Sequence, residues 1–201
     1  MIVRSVAKTL LVAAVPALLA GCVRFGAEPP PSLLTIAAQS QPQPGAAQNS
    51  ATARSIVVQV PAVPTAIATT RVPVQETDTT IAYVKDAQWA EPPARLFARL
   101  LADTVTARAN MVVLSPAQSF SDPSANLAGE LRWFGLDATQ RQALVVYDAA
   151  LTPAGATNVE KRRFEARVPV AAIDAPSAGA ALSQAANQVA QQVADWVAGQ
   201  R

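Results

Sequence analysis

The chain has 201 residues, of which 51% are hydrophobic, 15% charged and 5% aromatic, with 16 prolines, one cysteine and no histidine. This is long enough for one domain with a sizeable core plus appendages, while the missing histidines exclude Ser-His-Asp and Cys-His catalysis and His-bearing zinc sites, and the lone cysteine excludes an internal disulfide. The formal charge of +2 and the pI near 9.0 rest on Arg4 and Lys8 at the start of the chain; without those two the cations only match the 14 carboxylates, which disfavours capture of nucleic acid.

Residues 1–21 read as a lipoprotein signal peptide. Arg4 and Lys8 form its positive start. Thr9 to Ala20 is an apolar run too short to span a bilayer comfortably. The run ends in Leu19-Ala20-Gly21-Cys22, which resembles the bacterial lipoprotein processing box. Ala20 and Gly21 suit a narrow peptidase site, and the Cys22 thiol is the nucleophile that receives a diacylglyceryl group. Cleavage leaves Cys22 as the first residue. An ordinary signal peptide with an incidental cysteine and a short uncleaved anchor are the alternatives. More than one acyl chain, palmitate among them, makes anchoring stable, since each buried CH₂ contributes about 0.8 kcal/mol. Position 23 is Val, not the Asp that commonly retains Gram-negative lipoproteins at the inner membrane. The expected location is therefore the periplasmic face of the outer membrane.

Residues 22–31, with Pro29-Pro30-Pro31, read as a lipidated tether. The domain proper is expected over 32–201. Ser32 to Ala38 reads as a first strand, and residues 39–53, rich in Gln, Pro, Ala and Ser, as a flexible insert. Arg54 to Val60 is a strong strand signal ended by Pro61. Ile67 to Gln75 reads as extended, with Pro73 marking an edge strand or a strand end. After a turn at Glu76-Thr77-Asp78, Thr79 to Lys85 returns as a strand with Ile81 and Tyr83 on one face. Pro92-Pro93 opens a helix, in which Leu96, Phe97, Leu100, Leu101 and Val105 recur at helical spacing and Arg95, Arg99 and Asp103 face outward. Asn110 is the expected stop.

Met111 to Leu114 reads as a short strand and Ser115 to Ser124 as a loop. In the next strand Leu127, Leu131 and Trp133 are expected on one face, with Glu130 and Arg132 on the other. Turns at 137–142 and 152–158 separate it from Ala143–Leu151 and Val159–Val170, which makes an antiparallel meander. The last segment, from about Ser177 to Gly199, carries the stripe Leu182, Ala186, Val189, Val193, Trp196 and Val197, with Ser177 as its cap. The pattern predicts an α+β fold: an antiparallel or mixed sheet with two amphipathic helices packed on one face.

From Val60 to Val105 the chain resembles a known family, the auxiliary lipoprotein component of ABC-type transport systems with mammalian-cell-entry subunits, to which the paraquat-inducible lipoprotein belongs. The resemblance rests on Cys22, Ser32-Leu33-Leu34-Thr35-Ile36, Val60-Pro61, Arg71, Ile81-Ala82-Tyr83 and Trp89-Ala90-Glu91-Pro92, followed by the helix Arg95-Leu96-Phe97-Ala98-Arg99-Leu100-Leu101. Leu33-Leu34 stand where the family commonly has a Tyr pair, and the insert is longer than its habit. The resemblance implies a non-enzymatic, outer-membrane-anchored lipoprotein that assists transport of lipids or other hydrophobic molecules across the envelope. It implies a mammalian-cell-entry-domain periplasmic protein as partner. A homo-oligomer is compatible with a system of this kind. Two rival roles stand beside it. One is an envelope scaffold that activates a cell-wall synthase or assists outer-membrane barrel assembly. The other is a carrier that holds the lipid cargo itself.

Candidate contact residues follow from side-chain chemistry. Trp89 lies just before a helix, where packing on Phe97 or Leu96 is the first reading and a partner contact the second. Tyr83 is weighed the same way. Lys161, Arg163 and Arg167 share a strand face, interrupted by Glu165, and suit either solvent or an acidic partner or lipid phosphate. Trp133 and Trp196 are expected in the core. The carboxylate pairs Glu76/Asp78 and Glu91/Asp103 stand in no motif with a nucleophile or metal spacing. Ser115 and Ser119 lack the Gly-x-Ser-x-Gly elbow. No phosphate-binding glycine loop is present. An enzyme is therefore not expected, nor a cofactor, a metal or a nucleic-acid partner.

Overall fold

The computed structural model describes residues 32–115, 117–118 and 123–200. The expected signal peptide, its processing residues Leu19, Ala20 and Gly21, the lipidation residue Cys22 and the tether lie outside them. Runs rich in β-branched and alternating residues form seven strands. These are β1 (Ser55–Val58), β2 (Arg71–Thr77), β3 (Thr80–Gln88), β4 (Val112–Leu114), β5 (Ala125–Asp137), β6 (Gln142–Pro153) and β7 (Glu160–Pro169). Two helices, α1 (Pro93–Ala109) and α2 (Ala175–Gly199), complete the fold.

All seven strands belong to one mixed sheet organised around β5. One edge of β5 pairs antiparallel with β6 along its whole length, and β6 pairs antiparallel with β7. This is the expected meander. The other edge is shared. Ile56–Val58 of β1 run parallel to Ala125–Leu127, and Val74 and Gln75 of β2 run parallel to Leu136 and Asp137. β4 then joins β1 in parallel, and β3 joins β2 antiparallel.

Both helices cover the same sheet face. In α1, Phe97 meets Tyr147 of β6 edge-on, with ring centroids 5.2 Å apart. In α2, Trp196 tilts against Phe164 of β7 at 5.5 Å. The buried stripe of α2 is rich in alanine (Ala178, Ala181, Ala185, Ala186, Ala190, Ala194) with Leu182, Val189, Val193 and Val197 between. Small side chains let the helix approach α1 and the sheet closely, and each fully buried Leu or Val contributes about 1.5–3 kcal/mol. Tyr147 is enclosed, which pushes its phenol pKa up through desolvation. Its hydroxyl donates to the Ala128 carbonyl at 2.9 Å, and its ring occupies the space over Gly129 that a Cβ would fill.

The helix ends follow local chemistry. Pro92 and Pro93 open α1, where a missing N–H costs nothing. Asn110, at φ 52°, ends it in the left-handed conformation that Asn tolerates. The start of α2 differs from expectation. Asp174, not Ser177, is its cap, and its Oδ1 accepts the Ser177 amide at 2.8 Å. Ala175 and Pro176 fit the first turn, so the helix begins two residues early, and a carboxylate there also answers the helix dipole.

Three further expectations are corrected. The segment 32–38 is not a strand. Leu34 makes one bridge with Trp89, its amide donating to the Gln88 carbonyl at 2.8 Å and its carbonyl accepting from Ala90 at 2.9 Å. The chain then leaves the sheet for α2. There Asn187 donates to the Ala37 carbonyl at 2.9 Å and accepts the Gln39 amide at 2.8 Å. Residues 39–53 form turns and no regular element. Pro73 sits inside the sheet rather than at its edge. The β2–β3 register shifts between Arg71 and Pro73, and bare Gly135 lies alongside, where a Cβ would come 2.6 Å from the Pro73 carbonyl oxygen. Finally, the β5–β6 register slips between Leu131 and Trp133. The resulting bulge at Arg132 moves Trp133 to the outer face and puts Phe134 in the core.

Candidate interaction surface

The sheet face opposite the helices carries the side chains that the core does not use. Period-two alternation places Lys161, Arg163, Glu165 and Arg167 of β7 there, because Phe164, Ala166 and Val168 are buried on the other side. Strand β6 adds Leu144, Val146 and Asp148, the residues between its buried Ala143, Val145, Tyr147 and Ala149. Strand β5 adds Glu130 before its bulge, Arg132 at it and Trp133 after it. The face has two parts of different chemistry.

The first part is ionic. A groove of about 640 Å³ is lined by Gly129, Glu130, Arg132, Asp148, Ala149, Ala150, Lys161, Arg162 and Arg163. At its centre Arg163 grips Asp148 with two hydrogen bonds, Nε at 2.6 Å and Nη2 at 2.8 Å. Arg132 lies 3.6 Å from both Asp148 and Glu130. The hydrogen bonds from Arg163, aided by Arg132, hold the Asp148 carboxyl below its usual range, and Asp148 raises the Arg163 guanidinium in turn. Farther along β7, Arg167 bonds Glu165 at 2.6 Å. Exposed pairs of this kind contribute only about 0–1 kcal/mol each. Their effect is to fix guanidinium groups in place on an otherwise open surface.

The second part is aromatic and apolar. Trp133 is half-buried beside Gly135 and Pro73, and a Cβ on Gly135 would lie 3.1 Å from its ring. Tyr83 and exposed Ile81 come from β3, opposite Pro73 and Gln75 of β2. The Arg71 guanidinium stacks 3.7 Å from the centre of the Tyr83 ring, a cation–π contact worth about 0.5–1 kcal/mol at an exposed site.

The expected contact residues therefore separate. Lys161, Arg163 and Arg167 do share one exposed face, and Tyr83 is on that same face with three strands between. Trp89 is different. It has no exposed surface and packs edge-on against Phe134 at 5.4 Å, so this arrangement leaves it no contact with a partner. Its buried indole N–H finds no acceptor among the described residues, so packing is its contribution. Trp196 is only partly buried, at the rim of the core. Arg132 lies on the polar face expected for it with Glu130, whereas Trp133, expected in the core, is a surface residue, and Asp148 joins the face with no signal of its own in the sequence. The signal for Trp133 is the change of parity in β5, where the large apolar residues fall at 127 and 131 and then at 134 and 136.

A second concavity, of about 490 Å³, lies between α1 and the ends of β1 and β4. Val58, Val60, Ala98, Ala102, Val113 and Leu114 form its apolar wall, and Arg95 and the Arg99–Glu91 pair stand at its rim. Among the described residues no three His, Cys, Asp or Glu side chains converge as a metal site requires, and no helix is long and apolar enough to cross a membrane.

Comparison with known proteins agrees with this architecture. The sequence model of a family described as an ABC-type transport auxiliary lipoprotein component matches residues 34–194. No curated protein matches the chain. Among solved structures, a Xanthomonas campestris protein assigned to the family DUF330 is similar, with a TM-score of 0.65 and 21% identity over 83% of this chain and 94% of that one. An uncharacterized protein is similar with a TM-score of 0.63 and 18% identity, over 72% of this chain and 92% of its own. At these identities the likeness is one of fold.

Proposed function

The chain belongs to the family of ABC-type transport auxiliary lipoprotein components, and from that premise we propose that it is a non-enzymatic envelope lipoprotein serving a transporter with mammalian-cell-entry subunits. In this reading Cys22 carries the lipid, Val23 directs the protein to the outer membrane, and the domain beyond residue 32 docks a periplasmic mammalian-cell-entry protein. The cargo of such a system is a lipid or another hydrophobic molecule. The observation that carries the reading is the family match across residues 34–194. The uncovered sheet face supports it, because its fixed arginines and half-buried aromatics are the side-chain types favoured at protein interfaces. The test is co-purification of the full chain from detergent-solubilised membranes. Recovery of a mammalian-cell-entry protein with its permease and ATPase is expected. Recovery of a cell-wall synthase or a barrel-assembly protein instead would move the scaffold role ahead. The apolar groove beside α1 favours one second reading, a domain that itself shields an acyl chain. Lipid that co-purifies with the chain, and is lost in Ala98→Glu, would support it.

A further inference from the structure

Strand β7 is an edge strand: among the described residues it pairs only with β6. Its ten residues follow a continuous register with β6, with no bulge from Glu160–Leu151 to Pro169–Gln142. The direction of its free backbone groups can be read from one bond. Arg141 and Val170 continue that register, and the Val170 amide donates to the Arg141 carbonyl at 2.9 Å. Even-numbered residues of β7 therefore exchange hydrogen bonds with β6, and odd-numbered residues turn theirs outward. Two details agree. Pro169, which has no N–H, is odd-numbered. Among the described residues the outward carbonyl of Glu165 is reached only by Gln192 of α2, through a long 3.5 Å contact.

The other edges are poorer templates. β4 has three residues. β3 is broken by register shifts, and Asp86 within it sits at φ 55°. The β7 edge also has a sign. On its open face Arg163 pairs with Asp148 and Arg167 with Glu165, while Lys161 has no carboxylate within 4 Å among the described residues; with Arg162 and Glu160 on the other face, the strand itself carries four cations against two carboxylates. The outward-facing backbone groups at 161, 163 and 167 thus belong to cations whose side chains point to the open sheet face. A second copy of β7 would bring this excess of positive charge against itself.

We propose that the β7 edge receives an extended acidic segment of a partner protein as an eighth strand. The ladder forms with the outward amides and carbonyls of Lys161, Arg163, Glu165 and Arg167. Carboxylates at alternate positions of the added strand lie beside Lys161, Arg163 and Arg167 on the open face. This goes beyond the proposed function, since it assigns an edge, a pairing mode and a charge, and it does not depend on which protein supplies the segment.

The test uses the isotope-labelled full chain in detergent micelles. The probe is a capped ten-residue peptide alternating Val and Glu. Two controls are the same peptide with Lys for Glu and an acidic version N-methylated at alternate residues. Binding of the acidic peptide is expected to slow amide exchange at Lys161, Arg163, Glu165 and Arg167 at least tenfold, while the even-numbered amides change little. The Lys and N-methylated peptides are expected not to bind. Arg167→Ala should weaken binding through charge alone. Arg167→Pro, which also removes an outward N–H, should abolish it. If that variant does not fold, the N-methylated peptide poses the same question with the protein unchanged. Equal binding of the Glu and Lys peptides, or binding without alternating protection, would overturn the proposal. So would protection of the odd amides that rises with protein concentration alone, which would make the occupant a second copy. Failure of a mammalian-cell-entry protein to co-purify bears on the proposed function and leaves this result as it stands.

Discussion

The side-chain amide of Asn187 donates to the carbonyl of Ala37 at 2.9 Å, across 150 positions of sequence. The same side chain accepts the Gln39 amide at 2.8 Å and donates to Ser183 at 2.8 Å. Asn187 is almost fully buried, so its polar atoms must be satisfied there. The partner it uses is a stretch of chain that failed to become a strand. Asn187→Ala leaves the Ala37 carbonyl and the Gln39 amide without these partners. A loss of about 1–3 kcal/mol is expected, read as a melting point several degrees lower. Residues 32–53 should become the first site of limited proteolysis. An unchanged melting point and cleavage pattern would show that the contact is dispensable.

Phe134 and Trp133 are neighbours in sequence on opposite faces of the sheet. Phe134→Ala should cost about 3–5 kcal/mol, because it empties the space beside Trp89. Trp133→Ala should cost clearly less, since the ring is only half-buried, yet weaken the co-purification of a periplasmic partner. Chemical denaturation measures the first effect and pull-down the second. Equal stability losses for the two variants would contradict the placement of the bulge.

Asp103 of α1 has its carboxyl pKa raised, chiefly by burial, with Arg99 acting in the opposite direction. A raised folded-state value means that the folded protein holds this proton more tightly than the unfolded chain does. The associated stability is present below the unfolded value and is lost as pH rises through the folded one. Asp103→Asn is therefore expected to raise the melting point at pH 7. The gain should shrink as pH falls toward about 3. Asp148 has the opposite sign, because its value is lowered by Arg163. Its contribution is present above the ordinary carboxylate range and disappears as pH falls through the lowered value. Asp148→Asn should therefore flatten the acid limb of the same melting curve.

Cys22→Ala should abolish incorporation of labelled palmitate and release the domain from membranes. Val23→Asp should move the lipidated protein from outer-membrane to inner-membrane fractions on a sucrose gradient. Label retained by Cys22→Ala would remove the anchor from the reading, and an unmoved Val23→Asp would remove the sorting rule.

Much of this fold was legible because local signals agree with one another. Pro92-Pro93 opens α1 and Asn110 closes it; the stripe from Leu182 to Val197 is buried as its spacing requires, with Trp196 at the rim. The meander from β5 to β7 follows from alternation and its turns. The rest depends on partners distant in sequence. Nothing in Ser55–Val58 says that it lies between β4 and β5, since parallel pairing is decided by crossovers. Leu34 looks like strand and is strand-like for one bridge only, because Asn187 competes for the backbone that follows. Pro73 would mark an edge if Gly135 were not beside it. Of the surface residues, the triad Lys161, Arg163 and Arg167 was readable from parity alone. Asp148 and Arg132 join it only once β5, β6 and β7 are laid side by side.

The bulge at Arg132 changes the phase of β5 midway along its length. Before it, odd positions are constrained by the core and even ones are open to change; after it the core takes the even positions Phe134 and Leu136, and of the odd ones Gly135 stays constrained by Pro73. A deep mutational scan should see this directly, as a two-residue rhythm of tolerance that skips a beat at Arg132. Alignment of distant relatives faces the same hazard. A gap placed one residue away exchanges Trp133 with Phe134, so that an interior position is compared with a surface one. Deleting Arg132 would instead remove the bulge: Leu131 and Trp133 already face the consecutive residues Tyr147 and Val146, so Trp133 would stay outward and Phe134 inward in an unbroken ladder with β6.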